Sequence, residues 1–226
     1  MIIQLPAFGW KPRHYQLPAW SYLENGGKHC ELVWHRRSGK DDLSLHWTSM
    51  SANDVGSPSS IGRVGNYWHM LPQANQARKA IWGAVNPHTG KRRIDEAFPE
   101  KLRAGQNDTE MSIQFASGST WQVVGSDNFN SLLGSPPVGL VFSEWALCDP
   151  ASWAYLMPIL EENGGWAIFN TTPRGKNHAY RSLNAAKKDP AQFGQLLASK
   201  DTGIFSATQL QKILNSLIDV FGEEFG

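Results

Sequence analysis

Cys30-Glu31-Leu32-Val33-Trp34-His35-Arg36-Arg37-Ser38-Gly39-Lys40-Asp41-Asp42-Leu43 is the stretch whose reading decides the fold. A short apolar run enters a basic turn closed by Gly-Lys and leaves as a helical pattern. That is the order of a strand, a phosphate-cradling loop and a helix. We read it as a nucleotide-binding loop of the Walker A type. Two positions depart from the general pattern G-x-x-x-x-G-K-[ST], which has Gly where Trp34 stands and Ser or Thr where Asp41 stands. Lys40 is expected on the β and γ phosphates, with backbone amides from Arg37 through Ser38 and Gly39 to Asp41 cradling them. The helix beginning at Asp42 turns its positive end toward the same phosphates.

The surrounding composition is ordinary. The 226 residues, 41% hydrophobic and 18% charged, suffice for one sizeable core. A formal charge of +1 neither demands nor excludes nucleic acid, so a surface for it would be a local patch. Cys30 and Cys148 lie far apart in apolar surroundings and read as reduced, buried thiols of an intracellular protein. No run approaches ~18 apolar residues, and the N-terminus lacks a charged start before an apolar segment, so a soluble, unexported protein is expected. The ten tryptophans read as core fillers rather than base-stacking platforms, and the seven histidines show no zinc-ligand spacing with the cysteines.

Upstream of the loop, Leu17-Pro18-Ala19-Trp20 starts a short helix expected to turn Leu17, Trp20 and Leu23 inward. Tyr15 and Gln16 precede it, and the Gln16 amide carries the donor and acceptor that an adenine edge requires. Downstream, 51–62 reads as a loop, 64–71 as a strand, and 73–85 as an amphipathic helix with Ala77, Ile81 and Trp82 on one side. Residues 86–109 are polar and basic; Lys91-Arg92-Arg93 is either a solvated turn or a contact to DNA phosphates or a neighbouring subunit. Two alternating strands at 111–116 and 120–125 form a hairpin around Ser117-Gly118-Ser119.

Gly139-Leu140-Val141-Phe142 is apolar and runs into Ser143-Glu144, placing Glu144 at a strand's carboxyl end, where open α/β sheets bind ligands. Helix and strand patterns then alternate at 150–160, 165–169, 179–188, 195–198 and 207–220, with Asn170-Thr171-Thr172-Pro173-Arg174-Gly175 as a polar turn. This alternation predicts an α/β fold with a mostly parallel central sheet, helices on both faces and an added β-hairpin.

Phosphoryl transfer is catalysed by positioning and charge stabilisation. Glu144 reads as the water-activating base. Ser143 stands where an Asp often supports the metal, and Asp41 stands where a hydroxyl usually does, so the two read as an exchanged Mg²⁺ site, direct or through water. Arg36, Arg37, Lys40 and Mg²⁺ offset the Asp41 charge beside a triphosphate.

Taken in order, Arg13-His14-Tyr15-Gln16, His35-Arg36-Arg37-Ser38-Gly39-Lys40-Asp41-Asp42, Val141-Phe142-Ser143-Glu144-Trp145-Ala146 and Gly165-Trp166-Ala167-Ile168-Phe169-Asn170-Thr171-Thr172-Pro173-Arg174-Gly175 resemble the ATPase region of tailed-bacteriophage large terminase subunits. The resemblance spans nearly the whole chain. It implies a P-loop NTPase of the ASCE/RecA-like kind, binding ATP with Mg²⁺ and driving double-stranded viral DNA through a portal protein into a procapsid. It also implies a small terminase subunit as partner, a homo-oligomeric ring, and the host bacterial cytoplasm as location. By the same likeness Gln16 contacts adenine, Lys40 the phosphates, Arg36 is the arginine within the phosphate loop, and Glu144 is catalytic. Asn170, Thr171 and Thr172 fall in the motif that couples hydrolysis to movement.

The expected organisation is one ATPase domain over 1–226, with an adenine-side segment at 1–28 and the start of a lid or linker subdomain at 205–226. The family's RNase H-like nuclease domain is expected to be absent. Many relatives carry an Arg before the Gly of the turn preceding the acidic strand, where this chain has Leu133 before Gly134. Arg103 and Arg174 are the candidates left for an arginine acting on a neighbouring subunit. The rival readings are a DNA helicase or translocase ATPase, and an assembly module that binds nucleotide without hydrolysing it.

Overall fold

A computed structural model describes residues 4–56, 60–127, 129 and 134–221. In chain order the elements are α1 (Leu17–Glu24), β1 (His29–Trp34), α2 (Lys40–Asn53), β2 (Asn66–Leu71), α3 (Ala74–Ala77), α4 (Arg93–Ala97), β3 (Arg103–Asn107), β4 (Ser112–Phe115), β5 (Thr120–Gly125), β6 (Pro137–Ser143), α5 (Pro150–Glu162), β7 (Trp166–Thr171), α6 (His178–Ala186), β8 (Phe193–Leu197) and α7 (Ala207–Phe221). The described strands form one eight-stranded sheet in the order β3-β4-β5-β2-β6-β7-β1-β8. From β5 to β8 every pairing is parallel, and β3 and β4 add an antiparallel edge. This is the expected α/β sheet with its hairpin. No helix among the described residues is long and apolar enough to cross a membrane.

The inner strands are buried on both faces and therefore read as apolar runs. Alternation assigns their side chains. Tyr67 of β2, Val141 of β6 and Ile168 of β7 pack on the α2 side with Leu43, Leu45 and Trp47. Trp68, Leu140, Phe142 and Phe169 pack on the opposite side with Leu156 and Leu160 of α5. The same period carries His69, Ser143 and Asn170 onto the α2 side at the carboxyl end of the sheet. Because β7 lies between β1 and β6, Asn170 is level with Leu32 on one flank and Ser143 on the other. The sheet order thus sets the end of β7 between the turn that follows β1 and Glu144.

Four local expectations are corrected. Leu17 is 47% exposed, while Ala19, Trp20 and Leu23 form the buried face of α1; at 100° per residue Leu17 lies about 110° from the centre of that face. The helix expected at 73–85 is α3 followed by a wider π-type turn over Arg78–Trp82, closed by Gly83 N–H on the Arg78 carbonyl at 2.8 Å. Ala77, Ile81 and Trp82 are buried as expected, but Val85 is 55% exposed. Residues 86–109 are not a plain polar loop: α4 buries Ile94 and Ala97, Phe98 behind it is fully buried, and β3 pairs with β4. The helix after the phosphate loop runs to Asn53, and the following strand begins at Asn66 rather than Val64. Leu133 lies outside the described residues. Cys30 and Cys148 are free and buried, as expected.

Candidate nucleotide site

The loop between β1 and α2 turns on two left-handed residues, Arg37 (φ 72°) and Gly39 (φ 74°). Glycine is required at 39 for a second reason, since a Cβ there would meet Gln16 Nε2 at 3.1 Å and Arg13 Nη1 at 3.2 Å. The approach is close because residues 13–16 lock the loop from behind. Gln16, 1% exposed, donates from Nε2 to the carbonyls of Ser38 (2.9 Å) and Gly39 (3.2 Å) and accepts from the Arg13 N–H at 2.9 Å. Tyr15 Oη donates to the Ser38 carbonyl at 3.0 Å and accepts from Arg13 Nη1 at 2.8 Å. In this structure the Gln16 amide, expected on an adenine edge, is committed to the loop backbone. Gln16→Ala removes three hydrogen bonds, although the Ser38 carbonyl keeps the Tyr15 hydroxyl and the Gly39 carbonyl keeps the Leu43 N–H, and should lower unfolding stability by about 1–3 kcal/mol, measured as a lower urea midpoint at unchanged m-value. An unchanged midpoint would refute the clamp.

Lys40, the first residue of α2, is nearly buried and donates from Nζ to Thr172 Oγ1 at 3.4 Å. Ser143 Oγ donates to Asp41 Oδ1 at 2.6 Å, so the two residues read as an exchanged pair are in direct contact across the sheet edge. Burial alone would raise the Asp41 carboxyl. Lys40, then Arg93, His69 and the Ser143 hydrogen bond outweigh it and hold the group below its ordinary value. Asn170 donates to Ser44 Oγ at 2.7 Å, tying β7 to α2. Thr171 Oγ1 accepts the Ala146 N–H at 3.2 Å, so the end of β7 holds both the lysine and the turn after Glu144.

Glu144 is a non-glycine residue in left-handed conformation (φ 57°, ψ 44°), and its Oε2 is buried without a hydrogen-bond partner among the described residues. Such backbone strain costs of order 1–3 kcal/mol and concentrates at functional sites.

Beside the loop opens a cleft of ≈ 650 Å³, lined by Arg13, Arg37, Gly39, Lys40, Asp41, Asp42, Arg93 and His88 together with Val85, Pro87, Ile204 and Phe205. Four cationic side chains against two carboxylates, at the N-terminus of a long helix, suit an anion. The four apolar residues suit a ring. Neither Glu144 nor Arg36 lines this cleft; Arg36 is exposed on the loop.

The sequence reading misses Arg93 and His69. Arg93 is expected on solvent, DNA or a neighbouring subunit within the basic run, but its Nε lies 2.6 Å from Asp42 Oδ1 in the cleft wall. Burial opposes the Arg93 charge, and Asp42 and Asp41 outweigh it and hold the guanidinium above its ordinary value. Arg92 is likewise paired with Asp95 at 2.8 Å. Arg103, a candidate for reaching a neighbour, is instead engaged internally by Asp95 (2.8 Å) and the Phe98 carbonyl, whereas Arg174 is exposed. A polar residue inside the apolar run Tyr67-Trp68-His69-Met70-Leu71 is the signal that could have found His69.

By sequence the chain matches no protein-family model and no curated protein. By structure, the ATPase domain of the large terminase of Thermus phage P74-26 superposes with a TM-score of 0.72 at 17% identity, over 96% of this chain and 92% of that one. The large terminase of a second, thermophilic bacteriophage superposes with a TM-score of 0.68 at 14% identity, over 95% of this chain and 52% of that one. The complex of that second terminase with ATP-gamma-S superposes with a TM-score of 0.68 at 14% identity, over 94% of this chain and 51% of that one. This chain thus spans about half the length of that full terminase. The fold is that of phage large terminase ATPase domains, a mostly parallel RecA-like sheet in which β7 lies between β1 and β6.

Proposed function

We propose that this chain is the ATP-hydrolysing motor domain of a viral large terminase, powering movement of double-stranded DNA into a procapsid. The observation that carries the proposal is that the carboxyl ends of β6 and β7 bring together the Lys40–Thr172 contact, the Asp41–Ser143 contact and the Thr171 bond to the turn after Glu144. In this reading the triphosphate lies at the start of α2 with Lys40, Arg37 and Arg13 beside it, and the base lies against Val85, Pro87, Ile204 and Phe205. Glu144 orients and deprotonates the attacking water. Loss of the γ-phosphate releases Lys40, and Thr172 passes that change to β7, which holds the Glu144 turn through Thr171.

Mg²⁺ fits the donor set. Among the described residues no group of three His, Cys, Asp or Glu side chains could hold an ion by itself. Of the two carboxylates lining the cleft, Asp42 is paired with Arg93 and Asp41 has one oxygen occupied by Ser143, as suits an ion held chiefly by phosphate oxygens and water. When bound, the ion neutralises phosphate charge. Double-stranded DNA, a portal protein, a small terminase subunit and a ring of like subunits in the bacterial cytoplasm belong to the same proposal, with exposed Arg174 as the residue open to a neighbouring subunit.

The test is Mg²⁺-dependent phosphate release by the purified chain, with and without double-stranded DNA, compared with Asp41→Ala. Turnover in Asp41→Ala should fall by on the order of 10²-fold or more. Near-normal turnover would remove Asp41 from the metal site, and nucleotide binding without any release by the unmutated chain would favour the assembly module.

A further inference from the structure

His69 of β2 is fully buried, on the α2 side of the sheet, and takes no part in lining the cleft. Its Nε2 lies 2.8 Å from Ser143 Oγ, which lies 2.6 Å from Asp41 Oδ1. The direction of the two hydrogen bonds follows from counting protons. A serine hydroxyl has one, and a 2.6 Å contact with an ionised carboxylate requires it. Ser143 must then accept from His69, so Nε2 carries the imidazole proton and Nδ1 is bare. Nδ1 is buried with no partner among the described residues. An apolar side chain would fill this place, edge-on to the Trp121 ring at 6.2 Å, without leaving a polar atom stranded. The position is therefore poorly explained by packing, and what the imidazole adds is the Nε2–H.

We propose that His69 is a positioning residue for the divalent cation of the nucleotide site, acting through Ser143 on Asp41. The Nε2–H fixes the Ser143 hydroxyl with its proton toward Asp41 Oδ1, which holds in one orientation the carboxylate that would bind the ion. The inference rests on the proposed function. It also explains how a serine can stand beside the acidic strand's glutamate: the serine transmits order and Asp41 supplies charge. Residues behind a ligand commonly change metal affinity by ~10–100-fold when removed.

The probe is Mn²⁺, followed by the loss of its free-ion paramagnetic resonance signal when titrated into the full chain with a nonhydrolysable ATP analogue. His69→Leu should weaken Mn²⁺ binding by about 10-fold or more, with nucleotide affinity at saturating Mn²⁺ unchanged. His69→Gln, whose amide restores a donor, should stay within about 3-fold of the unmutated chain. Ser143→Ala should match His69→Leu, and the double variant should be no weaker than either single one. Equal Mn²⁺ affinity in His69→Leu and the unmutated chain overturns the proposal, as does His69→Gln binding as weakly as His69→Leu, or additive losses in the double variant. Should His69→Leu not fold, His69→Gln against Ser143→Ala decides by the same criterion. Absence of nucleotide-dependent Mn²⁺ binding in the unmutated chain would instead sink the nucleotide reading, and this inference with it.

Discussion

Glu144→Gln is expected to lower ATP turnover by about 10³-fold, within the range that a positioned general base supplies, while nucleotide affinity stays within a few-fold. The substitution keeps size and hydrogen-bonding capacity and removes the ability to accept a proton. It should leave the local backbone alone, because the left-handed turn at Glu144 is held by other groups. The Leu147 N–H donates to the Glu144 carbonyl at 2.8 Å, and Thr171 secures Ala146. The buried, unpartnered Oε2 gives the side chain an unmet need for a donor, which a substrate water would satisfy. The measurement is single-turnover phosphate release alongside equilibrium binding of a fluorescent ATP analogue. Turnover close to that of the unmutated chain would take the base away from Glu144, and a parallel loss of binding would mean that the residue shapes the pocket rather than the chemistry.

The second large effect belongs to Lys40. Lys40→Ala should weaken ATP binding by on the order of 10²-fold, since a hydrogen bond to a charged group contributes about 1.5–3 kcal/mol and each 1.4 kcal/mol is tenfold. Its position concentrates that charge: the stem is buried, the helix N-terminus lies at its base, and Thr172 gives Nζ a resting partner at 3.4 Å. Lys40→Arg should not restore binding, because a planar guanidinium replaces a compact ammonium in a site shaped around the latter. Removing Lys40 also takes away the charge that does most to hold the Asp41 carboxyl down, so the two losses should be less than additive in Lys40→Ala/Asp41→Ala. Isothermal titration with ATP and Mg²⁺ checks both statements. Binding of the Lys40→Ala chain at full strength would place the phosphates elsewhere.

Much of this site is legible in the sequence because its signals are local. The apolar run of β1, the Gly-Lys closing the turn and the helical spacing after it lie within fourteen consecutive residues, and parallel strands read as continuous apolar runs wherever both faces are covered. The contact between Asp41 and Ser143, 102 residues apart, is legible too, since each departs from its expected chemistry in the way that would compensate for the other. Arg93 is misread for the opposite reason. In a run of three basic residues nothing marks which one turns inward, and the carboxylate that takes it, Asp42, lies 51 residues upstream. Gln16 has the chemistry to read an adenine or to clamp a loop, and only the proximity of the Ser38 and Gly39 carbonyls decides which its amide does in this structure.

The order of amino acids suffices for the alternation of strands and helices, the basic Gly-Lys turn between β1 and α2, the glutamate directly after β6, and the pairing of Asp41 with Ser143. Each is written in neighbouring residues or in a single departure from a short pattern. Which side chains complete the site is settled only in three dimensions: His69 behind Ser143, Arg93 against Asp42, and Ile204 and Phe205 in the cleft wall. The cause is the sheet order. β7 enters between β1 and β6 and β2 lies beyond β6, which brings residues scattered through the chain to one edge. The two-residue period of the strands then selects those that face α2.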